Sequence, residues 1–143
     1  MNNNKFRRGF TFVELMIVII VLSLMVGFVA PKMFGKLGKA RHEIARSKMA
    51  IIEKAVEEFY VDCGRYPTDD EGFNALIEPP QDDELAEKWQ GRYCKPSDLL
   101  DPWGNPYEYF AEGSVNIGSY DIVSLGKDGQ EGGEGEDADI YND

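Results

Sequence analysis

The strongest hydrophobic pattern lies near the N-terminus. Residues 10–30, FTFVELMIVIIVLSLMVGFVA, make an apolar run of 21 residues that holds one charge, Glu14. As a helix this run is about 31 Å long, a match to a bilayer core of about 30 Å. Such a surface is either lodged in lipid or packed against further copies of itself. Beyond Pro31 the pattern turns amphipathic. Ile44, Ile51, Ile52, Ala55, Val56 and Phe59 recur at helical spacing, with Arg41, Glu43, Arg46, Lys48 and Glu57 among them, which predicts one apolar stripe. The helix is expected to run from Phe10 to about Asp62 and stop at Cys63-Gly64, glycine being the usual residue past a helix end. Gly27, Pro31, Gly35 and Gly38 are weak points. Proline removes a backbone donor, and each glycine costs about 1 kcal/mol against alanine. They predict a kink or a locally melted turn between Gly27 and Gly38.

The rest of the pattern is short and broken. Thr68 reads as an N-cap, with Asp69, Asp70 and Glu71 in the first turn where anions are favoured. Phe73, Leu76 and Ile77 would face the core, and Glu78-Pro79-Pro80 ends that element. Residues 81–90 suit a second short helix that docks Leu85 and Trp89. Pro102-Trp103-Gly104-Asn105-Pro106 is a turn cluster. Residues 107–110 and 120–124 alternate as two strands around a turn at 112–118, which predicts a small antiparallel sheet. The fold class is α+β: a long N-terminal helix packed on a small antiparallel sheet.

Charge divides the chain. The formal net charge is −11. Residues 32–54 hold seven Lys or Arg against two acids, and residues 55–143 hold five against 23. The acidic body is unsuited to nucleic-acid backbones, which need positive charge. Lys5, Arg7 and Arg8 precede the apolar run, which places the body outside by the positive-inside rule. An oxidising compartment there permits a disulfide between Cys63 and Cys94; the other reading is two buried thiols. The body carries no histidine, since His42 lies on the long helix, and no nucleophile elbow or phosphate loop. An anchored enzyme is therefore disfavoured.

The leader does not read as an ordinary secretory signal. The apolar run exceeds the usual 7–15 residues, and Pro31-Lys32-Met33-Phe34 follows it where a small-residue cleavage site would stand. Gly9 lies instead between the basic leader and the run. A cut there leaves the helix on the mature protein, with Glu14 as the fifth residue from a new amine at Phe10. An ionised group in a spanning helix is costly and functional by default. A freed amine on a neighbouring, staggered copy is a natural partner for Glu14; simple solvation near the headgroups is the other reading. Gly9-Phe10-Thr11-Phe12-Val13-Glu14 and the run behind it resemble the signal of type IV pilin-like proteins. The resemblance implies cleavage after Gly9 and methylation of Phe10 by a prepilin peptidase, Glu14 retained for assembly, and Pro31 as the helix-breaking proline. It divides the chain into a leader, 1–9, a membrane-spanning or filament-core helix, 10–30, and a periplasmic globular domain, 31–143.

The last segment, LGKDGQEGGEGEDADIYND, is rich in acids and glycines. It reads either as a solvated tail or as a calcium loop, since Ca²⁺ takes six to eight oxygens and glycines let carbonyls turn inward. The EF-hand spacing is absent. Arg65-Tyr66-Pro67-Thr68, the Asp101–Tyr107 run, Ser124-Leu125-Gly126 with Asp128-Gly129, and Asp139-Ile140 resemble the major-pseudopilin family of type II secretion systems. That resemblance implies Ca²⁺ held by the carbonyls of Leu125 and Gln130 and the carboxylates of Asp128 and Asp139, with Asp137 beside them. It implies a structural subunit that homopolymerises in the inner membrane into a periplasmic pseudopilus. Minor pseudopilins and the secretion assembly platform are its implied partners, and export of folded proteins its role. The alternative is a subunit of a type IV pilus for adhesion or DNA uptake. Here Ala138 and the Ile140-Tyr141-Asn142-Asp143 ending depart from the family pattern.

Overall fold

The structure is a computed structural model that describes residues 9–142, with the backbone alone for 29–36. The leader residues 1–8, the side chain of Pro31 and the terminal Asp143 lie outside the described residues. Contacts divide the chain into two units, residues 1–37 and 38–143.

Helix α1 spans Phe12–Cys63. Its start is a capping box. Thr11 N and Thr11 Oγ1 donate to Glu14 Oε2 at 2.9 and 3.1 Å, and Glu14 N donates back to Thr11 Oγ1 at 3.2 Å. Its end is Gly64, whose φ of +77° needs no Cβ to be avoided, and whose N–H closes on Tyr60 O at 2.8 Å. Helix α1 is unbroken between Gly27 and Gly38, so the melted turn expected there is absent from the isolated chain. Proline removes one donor from a ladder that holds on either side.

In the second unit α1 buries one seam: Ala45, Met49, Ile52, Ala55, Val56 and Phe59. This corrects the expected stripe at two positions. Ile44 and Ile51 are 50% and 52% exposed. Each is one residue, or 100° of helix, off the seam defined by Ala45 and Ile52. The seam is carried in part by small and flexible residues, Ala45 and Met49, that a search for bulky aliphatics passes over.

The body wraps this seam. The expected element after Thr68 is a 3-10 helix, Gly72–Leu76, with Ala75 and Leu76 buried. Helix α2, Asp83–Lys88, is capped by Asp82, which accepts from Leu85 N at 3.1 Å. Trp89 docks as expected and donates its indole N–H to Ala75 O at 2.9 Å. Strands β1, Glu108–Phe110, and β2, Asp121–Ser124, pair antiparallel with Glu108 opposite Val123. A third strand, β3, Ile140–Tyr141, pairs on the other side of β2 with Ser124 opposite Ile140. Ile140 and Tyr141 are therefore part of the sheet, and Ile140 is buried. Tyrosines lace the layers together. Tyr107 donates to Ala45 O and Tyr109 to Pro67 O, both at 2.9 Å.

Cys63 and Cys94 are buried free thiols, the second of the two sequence readings. Burial pushes both thiols up. Asp62 adds to the rise at Cys63, and Asp98 at Cys94, which reaches about 11. Both are held protonated and unreactive.

Candidate functional site

Two regions carry the candidate residues. The first is the N-terminal part of α1. Its large side chains are exposed on every side: Val13, Leu15, Ile17, Ile20, Leu24 and Phe28 are all more than half exposed. A helix that is apolar all round belongs in lipid or in the core of an assembly. Two of its polar side chains bond within the helix itself. Ser23 Oγ donates to Ile19 O at 2.7 Å, the i−4 bond that lets a hydroxyl sit in an apolar helix. Glu14 takes both Thr11 donors on Oε2, which leaves Oε1 open to another group. Phe10, at the point where Gly9 would be cut, is 86% exposed. Among the described residues no helix is long and apolar enough to cross a membrane; the described side chains of the run stop at Phe28.

The second region is the loop from Leu125 to Asp139, between β2 and β3. Five glycines bend it through positive φ: Gly126, Gly129, Gly132, Gly133 and Gly135. Two of these have a packing reason as well. A Cβ on Gly126 would lie 2.7 Å from the carbonyl carbon of Asp137, and one on Gly133 would lie 2.6 Å from its oxygen. The main chain of Asp137 is thus the hub on which the loop closes. Lys127 N donates to Glu136 O at 2.9 Å, and Gly135–Asp137 forms a 3-10 turn.

The candidate ligands are placed within this loop but do not meet as one carboxylate cluster. Asp128 Oδ1 accepts from Gln130 N at 3.2 Å. Asp139 Oδ2 accepts from Gly132 N at 2.9 Å. Asp139 Oδ1 is buried and has no hydrogen-bond partner. Among the described residues no group of three or more Asp, Glu, His or Cys side chains converges. A buried carboxylate oxygen without a partner is costly, and a cation would relieve it. The donor set of carbonyls and carboxylates is hard oxygen, which suits Ca²⁺.

Sequence reasoning left one part of the region without a role. The turn after Leu100 is wound on Asp101, whose Oδ1 accepts from Trp103 N at 2.9 Å and Asn105 N at 2.8 Å. Its Oδ2 accepts from Ser124 Oγ at 2.7 Å. Asn105 Nδ2 then donates to Gly126 O at 2.7 Å. The turn therefore holds the first residues of the loop. The signal was the Asp-x-x-x-Asn spacing, a self-bonding turn chemistry.

Known proteins resemble the chain over most of its length. Residues 32–143 match the family "Type II secretion system (T2SS), protein G", and residues 4–30 match the "Prokaryotic N-terminal methylation motif". A type II secretion system core protein G of Vibrio cholerae is 40% identical over 134 residues, covering 94% of this chain and 90% of its own. That of Pseudomonas aeruginosa is 36% identical, with 94% and 93% covered. The crystal structure of the major pseudopilin from the type 2 secretion system of enterohaemorrhagic Escherichia coli superposes with a TM-score of 0.63 at 28% identity, covering 76% of this chain and 91% of that one. The protein G family match covers residues 32–143, beyond the N-terminal methylation motif. The chain belongs to the type II secretion system protein G family.

Proposed function

We propose that this chain is the structural subunit of a type II secretion pseudopilus. The observation that carries it is the N-terminal part of α1, apolar on all sides, exposed in the single chain, and bearing one carboxylate with an unused oxygen. Copies would insert in the inner membrane and be cut after Gly9 and methylated on Phe10 by a prepilin peptidase. They would then polymerise with their apolar helices in the filament core. Glu14 of one copy would take the new amine of a neighbour, and the acidic bodies would coat the outside in the periplasm. Minor pseudopilins and the assembly platform would be partners, and growth of the polymer would drive export of folded proteins. Two tests apply. The mass of the purified subunit should correspond to a chain that begins at methylated Phe10. Electron micrographs should show filaments. A soluble monomer that begins downstream of Ala30 overturns the reading.

Ca²⁺ is part of the proposal. The carbonyls of Leu125 and Gln130 and the carboxylates of Asp128, Asp137 and Asp139 would hold it. The ion would supply positive charge to a loop whose own acids repel one another. Binding to the folded state alone stabilises it by about 2.7 kcal/mol at a free concentration about 100 times Kd, or roughly 10 °C in Tm for a body of about 100 residues. Asp128→Ala should lose most of that rise in a calcium titration of thermal stability. Equal responses of wild type and variant remove the ion site from the proposal.

A further inference from the structure

Glu136 ties the loop from Leu125 to Asp139 to α1. Gly38 is buried, although Leu37, Lys39, Ala40 and Arg41 beside it are exposed. What covers it is the stem of Glu136: a Cβ built on Gly38 would lie 2.8 Å from Glu136 Cγ. The Glu136 carboxylate then spans two cations. Arg41 NH1 meets Oε1 at 3.4 Å, and Lys127 Nζ meets Oε2 at 3.6 Å. Both cations are about half exposed, so the ion pairs by themselves hold little. The contact of the stem with the bare helix backbone does the rest, and only glycine at position 38 permits it.

The main chain of the same residue is built into the loop. Glu136 O accepts from Lys127 N at 2.9 Å, one residue before Asp128. The next residue, Asp137, is the hub against which Gly126 and Gly133 close. Glu136 therefore joins two places that are far apart in sequence. One is the segment that would carry the ion's oxygens. The other is the helix at Gly38–Arg41, at the edge of the weak stretch where melting was expected.

We propose that Glu136 is a positioning residue that couples ion occupancy of the loop to the order of α1 at Gly38–Arg41. This rests on the calcium reading above. Ca²⁺ that fixes the loop backbone fixes Glu136 over Gly38, and the helix there is held. Release of the helix frees Glu136 and loosens the loop. The coupling is reciprocal, because both events share one residue.

The experiment uses the full chain in detergent micelles, with Ca²⁺ binding measured by calorimetry and amide exchange read at residues 38–45. Glu136→Ala and Gly38→Ala should each weaken Ca²⁺ binding about tenfold, within the usual range of coupling between sites. Glu136→Gln should stay near wild type, since its stem still packs and its amide oxygen still accepts from Arg41. In wild type, added Ca²⁺ should slow exchange at residues 38–45; in the two alanine variants it should not. Gly38→Ala separates this from a merely structural role. Alanine is the better helix former, so without coupling it would slow exchange with or without Ca²⁺ and leave affinity unchanged. That result, or unchanged affinity in Glu136→Ala, overturns the proposal while the ion reading stands. A wild-type chain that binds no Ca²⁺ brings down both.

Discussion

The chain writes the same capping box twice and completes it differently. Thr11-Phe12-Val13-Glu14 and Thr68-Asp69-Asp70-Glu71 make matching bonds. In both, the threonine N–H and hydroxyl donate to one glutamate oxygen at 2.9 and 3.1 Å. At Glu71 the remaining capacity is filled from within the body. Arg65 forks onto the carboxylate with two bonds of 2.7 Å, the strong bidentate arrangement. At Glu14 no cation of the described residues meets the carboxylate, and its surroundings are exposed apolar side chains. The body is a finished structure that supplies its own counter-charge. The N-terminal helix leaves its apolar side chains exposed, and in the function proposed above its carboxylate would take the amine of another copy.

The largest expected effect breaks the comparison at Glu14. Glu14→Gln keeps an acceptor for Thr11, so the cap survives and the body's Tm should not move. The charge is lost. If it pairs with a neighbour's amine in an apolar core, that amine is left uncompensated, at a cost of about 3–5 kcal/mol per contact. Polymerisation should then need at least about a hundredfold more protein, measured by sedimentation of filaments. Filaments of Glu14→Gln at wild-type concentration would mean that Glu14, like Glu71, does no more than cap.

The next effect lies within α1. Ile52→Ala should cost the body about 2–5 kcal/mol, as for other buried aliphatics. Ile51→Ala, one residue away on the exposed flank, should stay within about 0.5 kcal/mol. Denaturant unfolding of the two variants decides it. An equal loss at both positions would place the seam where the sequence stripe put it.

That misplacement shows what was legible and what was not. The stop of α1 at Gly64, the short α2 with Trp89 docked, and the β1–β2 pair rest on local signals, a positive-φ glycine and alternation, and could be read directly. The start of α1 was placed at Phe10, two residues before Phe12, because the Thr11–Glu14 box went unread. The seam depends on what packs against the helix, and Ala45 and Met49 announce nothing by themselves. Strand β3 was not seen because two residues, Ile140 and Tyr141, carry no periodicity; pairing with β2 is a long-range event. The candidate ligands in the loop were read from composition and resemblance. The devices that hold the loop, Asn105 on Gly126 and Glu136 on Gly38, join positions 21 and 98 residues apart, and no local pattern links them.

The smallest effect tests the finished box. The Arg65 fork, against the opposing effect of burial, together with the Thr68 bonds takes the Glu71 carboxyl from 4.5 down to about 2. The full shift overstates the stability involved, because the Arg65 and Glu71 side chains are 35% and 24% exposed and solvent screens the pair. Glu71→Gln should therefore cost about 1–2 kcal/mol at pH 7. The sign follows from the direction of the shift. A depressed carboxyl contributes stability that is present above its unfolded value, near 4.5, and is lost as the pH falls through its folded value, near 2. The gap between wild type and Glu71→Gln should thus be constant from pH 7 to about 5 and close by about pH 2. Other carboxylates titrate in both proteins and cancel in the difference. A gap that stays open at pH 2 would mean that Glu71 holds the turn through the shape of its box and not through the charge that Arg65 completes.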